Sequence, residues 1–247
     1  FSTFKFGNSQ FLEPSNILGV YSRDMDFLYY ILTGGLLLLA SPFIVLRALV
    51  SSFFRNQIKE RMAGARSLPE LKGTLWIHAS SVGEVRLAKT LIAGLIKDGE
   101  SRPIALSTFS PTGYALAREE NLPNVFRLPL DFPVWLNPVF KRIQPAKLVL
   151  IEAELWPCLL RQCKDRNIPV IQVNGRVSEK SVQRYGKLPA FFLWMTESIQ
   201  QFSMRSQIDA DRLLQIGVAK EKVRVTGNIK FDVTQKEDNP HQEWKTD

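Results

Sequence analysis

The sequence is poor in the residues that build disulfide frameworks and metal sites. Only two cysteines and two histidines occur in 247 residues. Cys158 and Cys163 lie within one predicted helix and are badly placed to bond to each other, and no cluster of metal-ligating residues surrounds them. This composition argues against a disulfide-stabilised secreted domain and predicts a protein of a reducing compartment.

Motifs for nucleotides and nucleic acids are missing as well. The chain has no G-x-G-x-x-G fingerprint and no P-loop, which weakens the hypothesis of a soluble nucleotide-binding domain. Its net charge is +8, yet the basic residues form no dense Lys/Arg stripe, so we expect no nucleic-acid partner. The charge favours anionic partners of other kinds, such as a phospholipid surface or nucleotide phosphates.

One long apolar segment is present, from Phe27 to Leu46, and it contains no charged residue. At about 1.5 Å per residue its length spans a bilayer core of about 30 Å. Tyr29 and Tyr30 lie at one end, as in an interfacial aromatic belt, and Pro42 is tolerated in membrane spans. Basic residues follow the segment, so the positive-inside rule predicts that the remaining chain is cytoplasmic. A signal peptide or a buried core helix is the alternative, but a signal peptide carries its charge before a shorter apolar run.

From Thr74 onward, short apolar runs alternate with helical patterns, which predicts an α/β fold with a doubly wound, Rossmann-like parallel sheet. The predicted strands are Thr74–Ala79, Pro103–Thr108, Val125–Leu128, Lys147–Ile151, Val170–Asn174, Ile199–Ser203 and Val223–Thr226. The predicted helices are Gly83–Lys97, Thr112–Glu119, Val134–Ile143, Pro157–Arg166, a stretch near Lys187–Met195, and Asp209–Leu214. The expected divisions are an N-terminal arm of unknown role (1–25), a transmembrane anchor (26–50), a basic amphipathic linker (51–72), the α/β domain (73–233) and a polar tail (234–247).

Polar clusters follow five of the predicted strands. After the first strand, Glu84 is a candidate general base, and Gly83 permits close backbone approach at the start of a helix. An ordinary acidic residue of a first helical turn is the alternative for Glu84. His78 is better interpreted as a satisfied, partly buried histidine. Glu152 and Glu154 follow a predicted central strand and share a face if the chain there is extended, although one of them can instead cap the next helix.

The other three clusters are weaker signals taken singly. Ser110 belongs to a group of hydroxyl residues that suits a sugar or phosphate, or simply caps a helix. Arg176 suits an anionic ligand or a surface ion pair, and Lys230 is a point charge that stabilises an anion. Since ligands bind at the carboxyl ends of strands in open α/β sheets, the five clusters together predict a binding crevice at that edge. Their spacing does not name the substrate.

At these residues the sequence resembles the N-terminal half of the 3-deoxy-D-manno-octulosonic acid (Kdo) transferases. The matching segments are WIHASSVGEV (76–85), PLDFP (129–133), LVLIEAELWP (148–157), VNGRVS (173–178) and VTGNIKFD (225–232). The resemblance implies a GT-B glycosyltransferase of lipopolysaccharide core biosynthesis. Its N-terminal domain accepts a lipid A precursor (lipid IVA), and its C-terminal domain binds the donor CMP-Kdo. The enzyme is then anchored in a Gram-negative inner membrane, against anionic lipids, with its catalytic domain on the cytoplasmic side.

The resemblance also implies roles for individual residues. Glu84 corresponds to the proton acceptor, and Glu152 and Lys230 correspond to transition-state stabilisers. We expect substrate contacts from Ser80, Ser81, Gly83, Ser110, Glu154 and Arg176. The family needs no metal and no cofactor.

The chain ends shortly after VTGNIKFD, where the family begins its donor-binding domain. We therefore expect it to be inactive alone. The alternative function is a non-catalytic, membrane-tethered α/β domain that binds a lipid or a protein partner.

Overall fold

The computed structural model describes the backbone of residues 14–229 and the side chains of residues 24–229. Lys230, the polar tail and the first part of the N-terminal arm lie outside the described residues. The chain divides into two compact units, Phe1–Arg47 and Ala48–Asp247, which are described separately here.

The N-terminal apolar segment lies in helix α1, Pro14–Val50, which also includes the last residues of the predicted arm. Its part from Asp24 to Val50 is long and apolar enough to cross a membrane, and none of its most apolar window is buried. The helix continues through Pro42, which has no N–H for the Leu38 carbonyl. The Ser41 hydroxyl donates to that carbonyl instead, at 2.7 Å, and so replaces the missing bond.

The second unit contains one sheet of seven parallel strands in the order β3-β2-β1-β4-β5-β6-β7. The strands are β1 Thr74–His78, β2 Ile104–Thr108, β3 Val125–Arg127, β4 Pro145–Ile151, β5 Val170–Gly175, β6 Ile199–Met204 and β7 Val223–Val225. The helices are α2 Ser52–Ala63, α3 Val82–Lys97, α4 Pro111–Glu119, α5 Pro133–Ile143, α6 Pro157–Asp165, α7 Glu179–Gly186, α8 Pro189–Met195 and α9 Gln207–Ile216. Two 3₁₀ turns, Gly64–Ser67 and Lys220–Lys222, complete the described elements.

The predicted parallel sheet is confirmed, and its centre is fully buried. Every residue of β1 and β2 is buried, as expected for strands covered by helices on both faces. Trp76 has no exposed surface, packs its ring 5.4 Å from that of Phe140, and donates its indole N–H to the Ser107 hydroxyl at 2.8 Å. Cys158 and Cys163 are buried free thiols, as their spacing indicated.

A helix that the sequence did not predict precedes α8. The predicted stretch near Lys187–Met195 corresponds to α8, while α7 ends at Gly186, and Lys187 and Leu188 separate the two helices. Pro189 restricts the preceding residue to a non-helical conformation, and Leu188 has φ −136° and ψ 58°. The break is therefore local and caused by the proline.

Residues 51–72, expected to be a linker, contain α2 and a 3₁₀ turn that belong to the sheet-bearing unit. Arg127 of β3, whose side chain is almost fully buried, donates to Gln57 Oε1 at 2.9 Å and to Glu60 Oε2 at 3.1 Å. Gly64 and Ala65 are buried. The segment is thus packed on the α/β domain, because a buried arginine needs the acceptors that α2 supplies.

The strand order reverses between β1 and β4. From β1 the chain proceeds outward to β2 and β3, then returns to place β4 on the other side of β1. Such a topological switch point opens a crevice at the carboxyl ends of the two central strands. Glu84 lies in the first turn of α3, directly after β1, and the loop after β4 carries Glu152 and Glu154, so the fold brings the predicted carboxylates to one place.

Candidate active site

The turn between β1 and α3 folds the Glu84 carboxylate back over its own backbone. Ser81 is the N-cap of α3, and its hydroxyl accepts from the Glu84 N–H at 3.4 Å and donates to Glu84 Oε1 at 3.2 Å. The Ser80 N–H donates to Glu84 Oε2 at 2.6 Å. This is a variant of the capping box, which the S-x-x-E spacing encodes locally. As a result, only 9% of the surface of Glu84 is exposed.

The pKa of Glu84 is raised to about 7. Burial is the largest cause of the rise, and the negative charges of Glu154 and Glu152 add to it. The hydrogen bonds from Ser80 and Ser81 oppose it without cancelling it. A carboxylate with this pKa is partly ionised at pH 7 yet binds a proton far better than an exposed glutamate does.

Glu154 lies in the same crevice, but its pKa is lowered where that of Glu84 is raised. The Trp156 indole N–H donates to its Oε2 at 2.9 Å, and His78 Nε2 lies 3.6 Å from the same oxygen. Burial alone would raise the pKa of Glu154, but its interactions with His78 and its hydrogen bonds with Trp156 and Ser80 lower it overall. Two nearby carboxylates with pKa values pushed apart are the usual arrangement of an acid–base site.

Glu152 differs from Glu154 because the backbone turns at this residue. Its φ is 59°, in the left-handed region that non-glycine residues rarely adopt. Its N–H donates to the Val173 carbonyl at 3.0 Å, and its Oε1 accepts from Asn174 Nδ2 at 3.4 Å. The idea that Glu152 and Glu154 share one face assumed an extended chain. It is wrong because the strand ends at Ile151 and the chain turns at the next residue.

Asn174 connects the ends of β4 and β5 with the loop after β7. While its amide donates to Glu152, its Oδ1 accepts from the Ile229 N–H at 3.2 Å. Asn174 is buried and also left-handed, with φ 54°. The backbone immediately before Lys230 is therefore tied to the site, while Lys230 itself lies outside the described residues.

A close approach of two loops depends on Gly113. The Ser110 N–H donates to the Ser80 carbonyl at 2.8 Å, and the Ser110 hydroxyl caps α4 by accepting from the Gly113 N–H at 3.0 Å. A Cβ at position 113 would lie 2.8 Å from Ser110 Oγ and 3.2 Å from the Ser80 carbonyl oxygen. A Cβ at Gly83 would meet only Ser81 Oγ, at 3.9 Å. The close backbone approach that we predicted at Gly83 therefore occurs at Gly113.

Gly113→Ala is expected to destabilise the unit by about 1–3 kcal/mol, since two backbone segments must move to admit the methyl group. The free energy of unfolding from urea titration measures this change. Gly94→Ala is the matched control, because Gly94 is also helical and nothing lies within 4 Å of its added Cβ. It is expected to stabilise by about 0.5–1 kcal/mol. Equal effects of the two substitutions would contradict the close approach.

Phe109 and two arginines support Trp156 from the side of α2. The Phe109 carbonyl accepts from Arg61 Nη2 at 3.0 Å and from Arg127 Nη2 at 2.7 Å. The Arg61 guanidinium lies 3.7 Å from the centre of the Phe109 ring, which in turn lies 4.7 Å from that of Trp156. Burial and the charge of Arg127 lower the pKa of Arg61 to about 10. Both arginines nevertheless stay charged at neutral pH.

Arg176 borders a cavity next to the loop that carries Glu152 and Glu154. It is exposed after β5 and lines a cavity of about 90 Å³ together with Ala153, Leu155 and Tyr185, among others. Among the described residues it makes no ion pair with Glu84, Glu152 or Glu154. The crevice thus brings together Glu84, Glu152 and Glu154 with Ser80, Ser81 and Ser110, while Arg176 borders a neighbouring cavity.

Sequence patterns did not identify three residues that organise the site. His78 is fully buried but not fully satisfied: its Nδ1 lies 2.8 Å from Ser107 Oγ, while its Nε2 makes no hydrogen bond to the described residues and lies 3.6 Å from Glu154 Oε2. Trp156 holds Glu154, and Asp131 caps α6 by accepting from the Cys158 and Leu159 N–H groups at 2.9 and 2.8 Å. One sequence feature could have indicated the role of Asp131. Helix α6 begins at Trp156-Pro157, where no local side chain caps it, so a distant residue must supply the cap.

The strand order defines a Rossmann-like α/β domain with carboxylates gathered at its switch point, the class of fold found in GT-B glycosyltransferases. A family model described as "3-Deoxy-D-manno-octulosonic-acid transferase (kdotransferase)" matches residues 56–233. The chain belongs to this family of glycosyltransferases, which confirms the resemblance inferred from its motifs.

Curated relatives agree with this assignment. The chain is 36% identical over 226 residues to a 3-deoxy-D-manno-octulosonic acid transferase of Haemophilus influenzae, covering 86% of the chain and 53% of that relative. It is 34% identical over 202 residues to a bifunctional glycosyltransferase/methyltransferase of Fusobacterium nucleatum, covering 77% of the chain and 31% of that protein. The chain therefore spans about half the length of the first relative and about a third of the second.

A solved structure supports the fold alone. The UDP-GlcNAc 2-epimerase from Neisseria meningitidis bound to UDP-GlcNAc superposes with a TM-score of 0.50 at 14% identity, covering 66% of this chain and 50% of that one. At this identity the likeness concerns the Rossmann-like architecture and carries no statement about substrates.

Proposed function

We propose that this chain is the acceptor-binding half of an enzyme that transfers Kdo from CMP-Kdo to a lipid A precursor, lipid IVA, in lipopolysaccharide core biosynthesis. The observation that carries the proposal is Glu84, a buried carboxylate with a pKa of about 7 at the switch point of a Kdo transferase family domain. Transfer requires in addition a donor-binding domain of the kind that the longer relatives have room for.

The chemistry assigns Glu84 as the proton acceptor. An acceptor sugar hydroxyl gives its proton to the Glu84 carboxylate while its oxygen forms a bond to the anomeric carbon of Kdo. The bond from that carbon to the CMP phosphate breaks, and CMP leaves with the bonding electrons. A base with a pKa near the working pH combines a useful ionised fraction with sufficient proton affinity, which is worth about 10²- to 10⁴-fold in rate.

Glu152 and Lys230 are proposed as transition-state stabilisers of opposite charge. The Glu152 carboxylate faces the positive charge that develops on the sugar ring, and Lys230 balances the negative charge that develops on the departing phosphate. Two observations support this pairing: Glu152 is held in a left-handed conformation, and Asn174 bonds both Glu152 and the residue before Lys230. No metal and no cofactor enter the proposal.

Substrate contacts are proposed for the residues around the base. Ser80, Ser81, Gly83 and Ser110 lie on the two loops that border Glu84, and Glu154 lies beside it. Arg176, at the neighbouring cavity, suits a phosphate or carboxylate of a substrate.

The location follows from the apolar helix. We propose that residues 24–50 form a single-pass anchor in the inner membrane of a Gram-negative bacterium, with the α/β domain on the cytoplasmic side. The helix is long and apolar enough to span, and Arg47 and Arg55 follow the apolar run. Anionic lipids are then the natural partners of this basic flank.

The test joins this chain to the C-terminal half of the Haemophilus influenzae relative and measures CMP release from CMP-Kdo with lipid IVA. We expect release by the fusion and none by the chain alone. Release by the chain alone would disprove the need for a donor domain. An inactive fusion that still binds lipid A vesicles without CMP-Kdo would favour the alternative, a non-catalytic tethered binding domain.

A further inference from the structure

Two ring nitrogens face one oxygen of Glu154, that of Trp156 through a hydrogen bond and that of His78 at ion-pair distance without a hydrogen bond. Trp156 Nε1 donates to Oε2 at 2.9 Å, and His78 Nε2 lies 3.6 Å from the same atom. Glu154 is partly buried, with 21% of its side chain exposed, while the His78 side chain has no exposed surface. A half-buried carboxylate keeps its charge only where donors of this kind compensate for lost water.

The tautomer of His78 follows from its other contact. The Ser107 hydroxyl accepts from the Trp76 indole N–H at 2.8 Å and lies 2.8 Å from His78 Nδ1. Trp76 can only donate, and we assign the single proton of Ser107 to its remaining described contact, which makes His78 Nδ1 the acceptor. A neutral His78 then carries its own hydrogen on Nε2, which is the nitrogen directed at Glu154. This assignment comes from the hydrogen-bond network.

Trp156 is fixed from two sides. Its ring stacks 4.7 Å from Phe109, whose carbonyl is clamped by Arg61 and Arg127. Its backbone starts α6, and Asp131 caps the first N–H groups of that helix. These contacts fix the orientation of the indole ring, so that its N–H is directed at Glu154.

Ser80 connects Glu154 to the base. Its backbone N–H donates to Glu84 Oε2 at 2.6 Å, and its side chain is among the causes that lower the pKa of Glu154. Ser80 therefore acts on both carboxylates. Among the described residues, the charged groups that act on Glu84 are Glu154 and Glu152, both from the loop after β4, and the α3 turn adds only the neutral Ser81.

We propose that His78 and Trp156 are positioning residues that hold the Glu154 carboxylate ionised and in one orientation beside Glu84. The fixed negative charge opposes ionisation of Glu84 and so makes it a stronger base. The inference deepens the proposed function, since it rests on Glu84 being the proton acceptor. Glu154 then acts through the base, whether or not it also touches substrate.

The test titrates individual glutamates by NMR in the full chain, labelled with carboxyl-¹³C glutamate and held in detergent micelles. The Glu84 and Glu154 signals are assigned by their loss in Glu84→Gln and Glu154→Gln. Glu154→Gln is expected to lower the Glu84 midpoint by about one pH unit, because a like charge disappears. The midpoint should stay above the ordinary value of 4.5, since burial remains the largest cause of the shift.

The positioning residues have their own readout. Trp156→Phe keeps a ring against Phe109 but removes the N–H, so the Glu154 midpoint should rise by about 0.5–1 pH unit. His78→Phe should raise it as well, and Trp156→Phe tests the proposal even if the buried histidine variant does not fold. Trp135→Phe and the exposed Glu119→Gln are controls that should leave both midpoints unchanged.

The outcomes separate this inference from the proposed function. Unmoved Glu154 midpoints in a folded Trp156→Phe variant would overturn the positioning role, even if the fusion transfers Kdo. An inactive fusion with the expected midpoint shifts would overturn the reaction and leave the positioning intact. In an active fusion, Glu154→Gln should move the acid limb of the kcat/KM profile to lower pH. A role in substrate binding alone would raise KM and leave that limb in place.

Discussion

Glu84→Gln is expected to abolish transfer by the completed enzyme and, at the same time, to stabilise the folded domain above pH 7. The amide cannot accept the proton, so activity should fall by about 10²- to 10⁴-fold. The gain in stability arises because a buried carboxylate whose pKa is raised to about 7 is costly when ionised. A site built for catalysis is here a source of instability.

The pH dependence of this gain has a definite sign. Between pH 4.5 and 7 the folded state holds a proton on Glu84 that the unfolded state releases. The stability of the wild-type chain therefore falls as the pH rises through this window, by at most about 3 kcal/mol from this one group. The variant lacks this loss, so the two chains should be similar at pH 4 and should differ most at pH 8.

Urea unfolding at pH 4, 6 and 8, followed by tryptophan fluorescence in detergent, measures the difference. The control is Glu119→Gln, which removes an exposed carboxylate at the end of α4 and should change stability equally little at all three pH values. A difference between wild type and Glu84→Gln that does not grow with pH would contradict the burial of an ionisable Glu84.

Glu152→Gly is expected to be more stable than Glu152→Ala, although both should lower transfer by about 10²-fold through loss of the same charge. The left-handed φ of 59° costs a residue with a Cβ about 1–2 kcal/mol and costs glycine nothing. Glycine loses part of this advantage through the greater entropy of its unfolded chain. The net difference in unfolding free energy should be about 0.5–1 kcal/mol in favour of glycine.

The matched pair is Glu119→Gly and Glu119→Ala. Glu119 lies at the end of helix α4, where alanine should be the more stable variant by about 0.5 kcal/mol. The opposite order at the two positions isolates the backbone conformation, because the deleted side chain is the same. If alanine were the more stable variant at both, Glu152 would not be strained.

The strands and the crevice were predictable because their signals are local. Buried parallel strands appear as short apolar runs, and each of the seven predicted strands overlaps an observed one. The position of Glu84 was predictable for a similar reason, since Ser81 and Glu84 interact within one helical turn. The chain near Glu152 was less predictable, because a single left-handed residue leaves no signal when it is not glycine or asparagine.

Other features could not be predicted because contacts between distant residues decide them. Residues 51–72 have the composition of a linker, but Arg127 is buried and draws its partners from α2. Gly113 is required because the loop after β1 passes close to it, at Ser80 and Ser81. The sequence of neither segment by itself predicts this contact. Asp131 caps a helix that starts 26 residues later, at Pro157.

The amino-acid sequence by itself determined the apolar helix, the alternation of strands and helices, the motifs of the family and the identity of the candidate base. Periodicity, capping and charge act over a few residues, so they can be recognised along the chain. Only the tertiary structure decided what surrounds that base. His78 and Glu154 meet because β1 and β4 are neighbours at the switch point. Strand order depends on how the whole core packs, and burial and charge at Glu84 follow from that order.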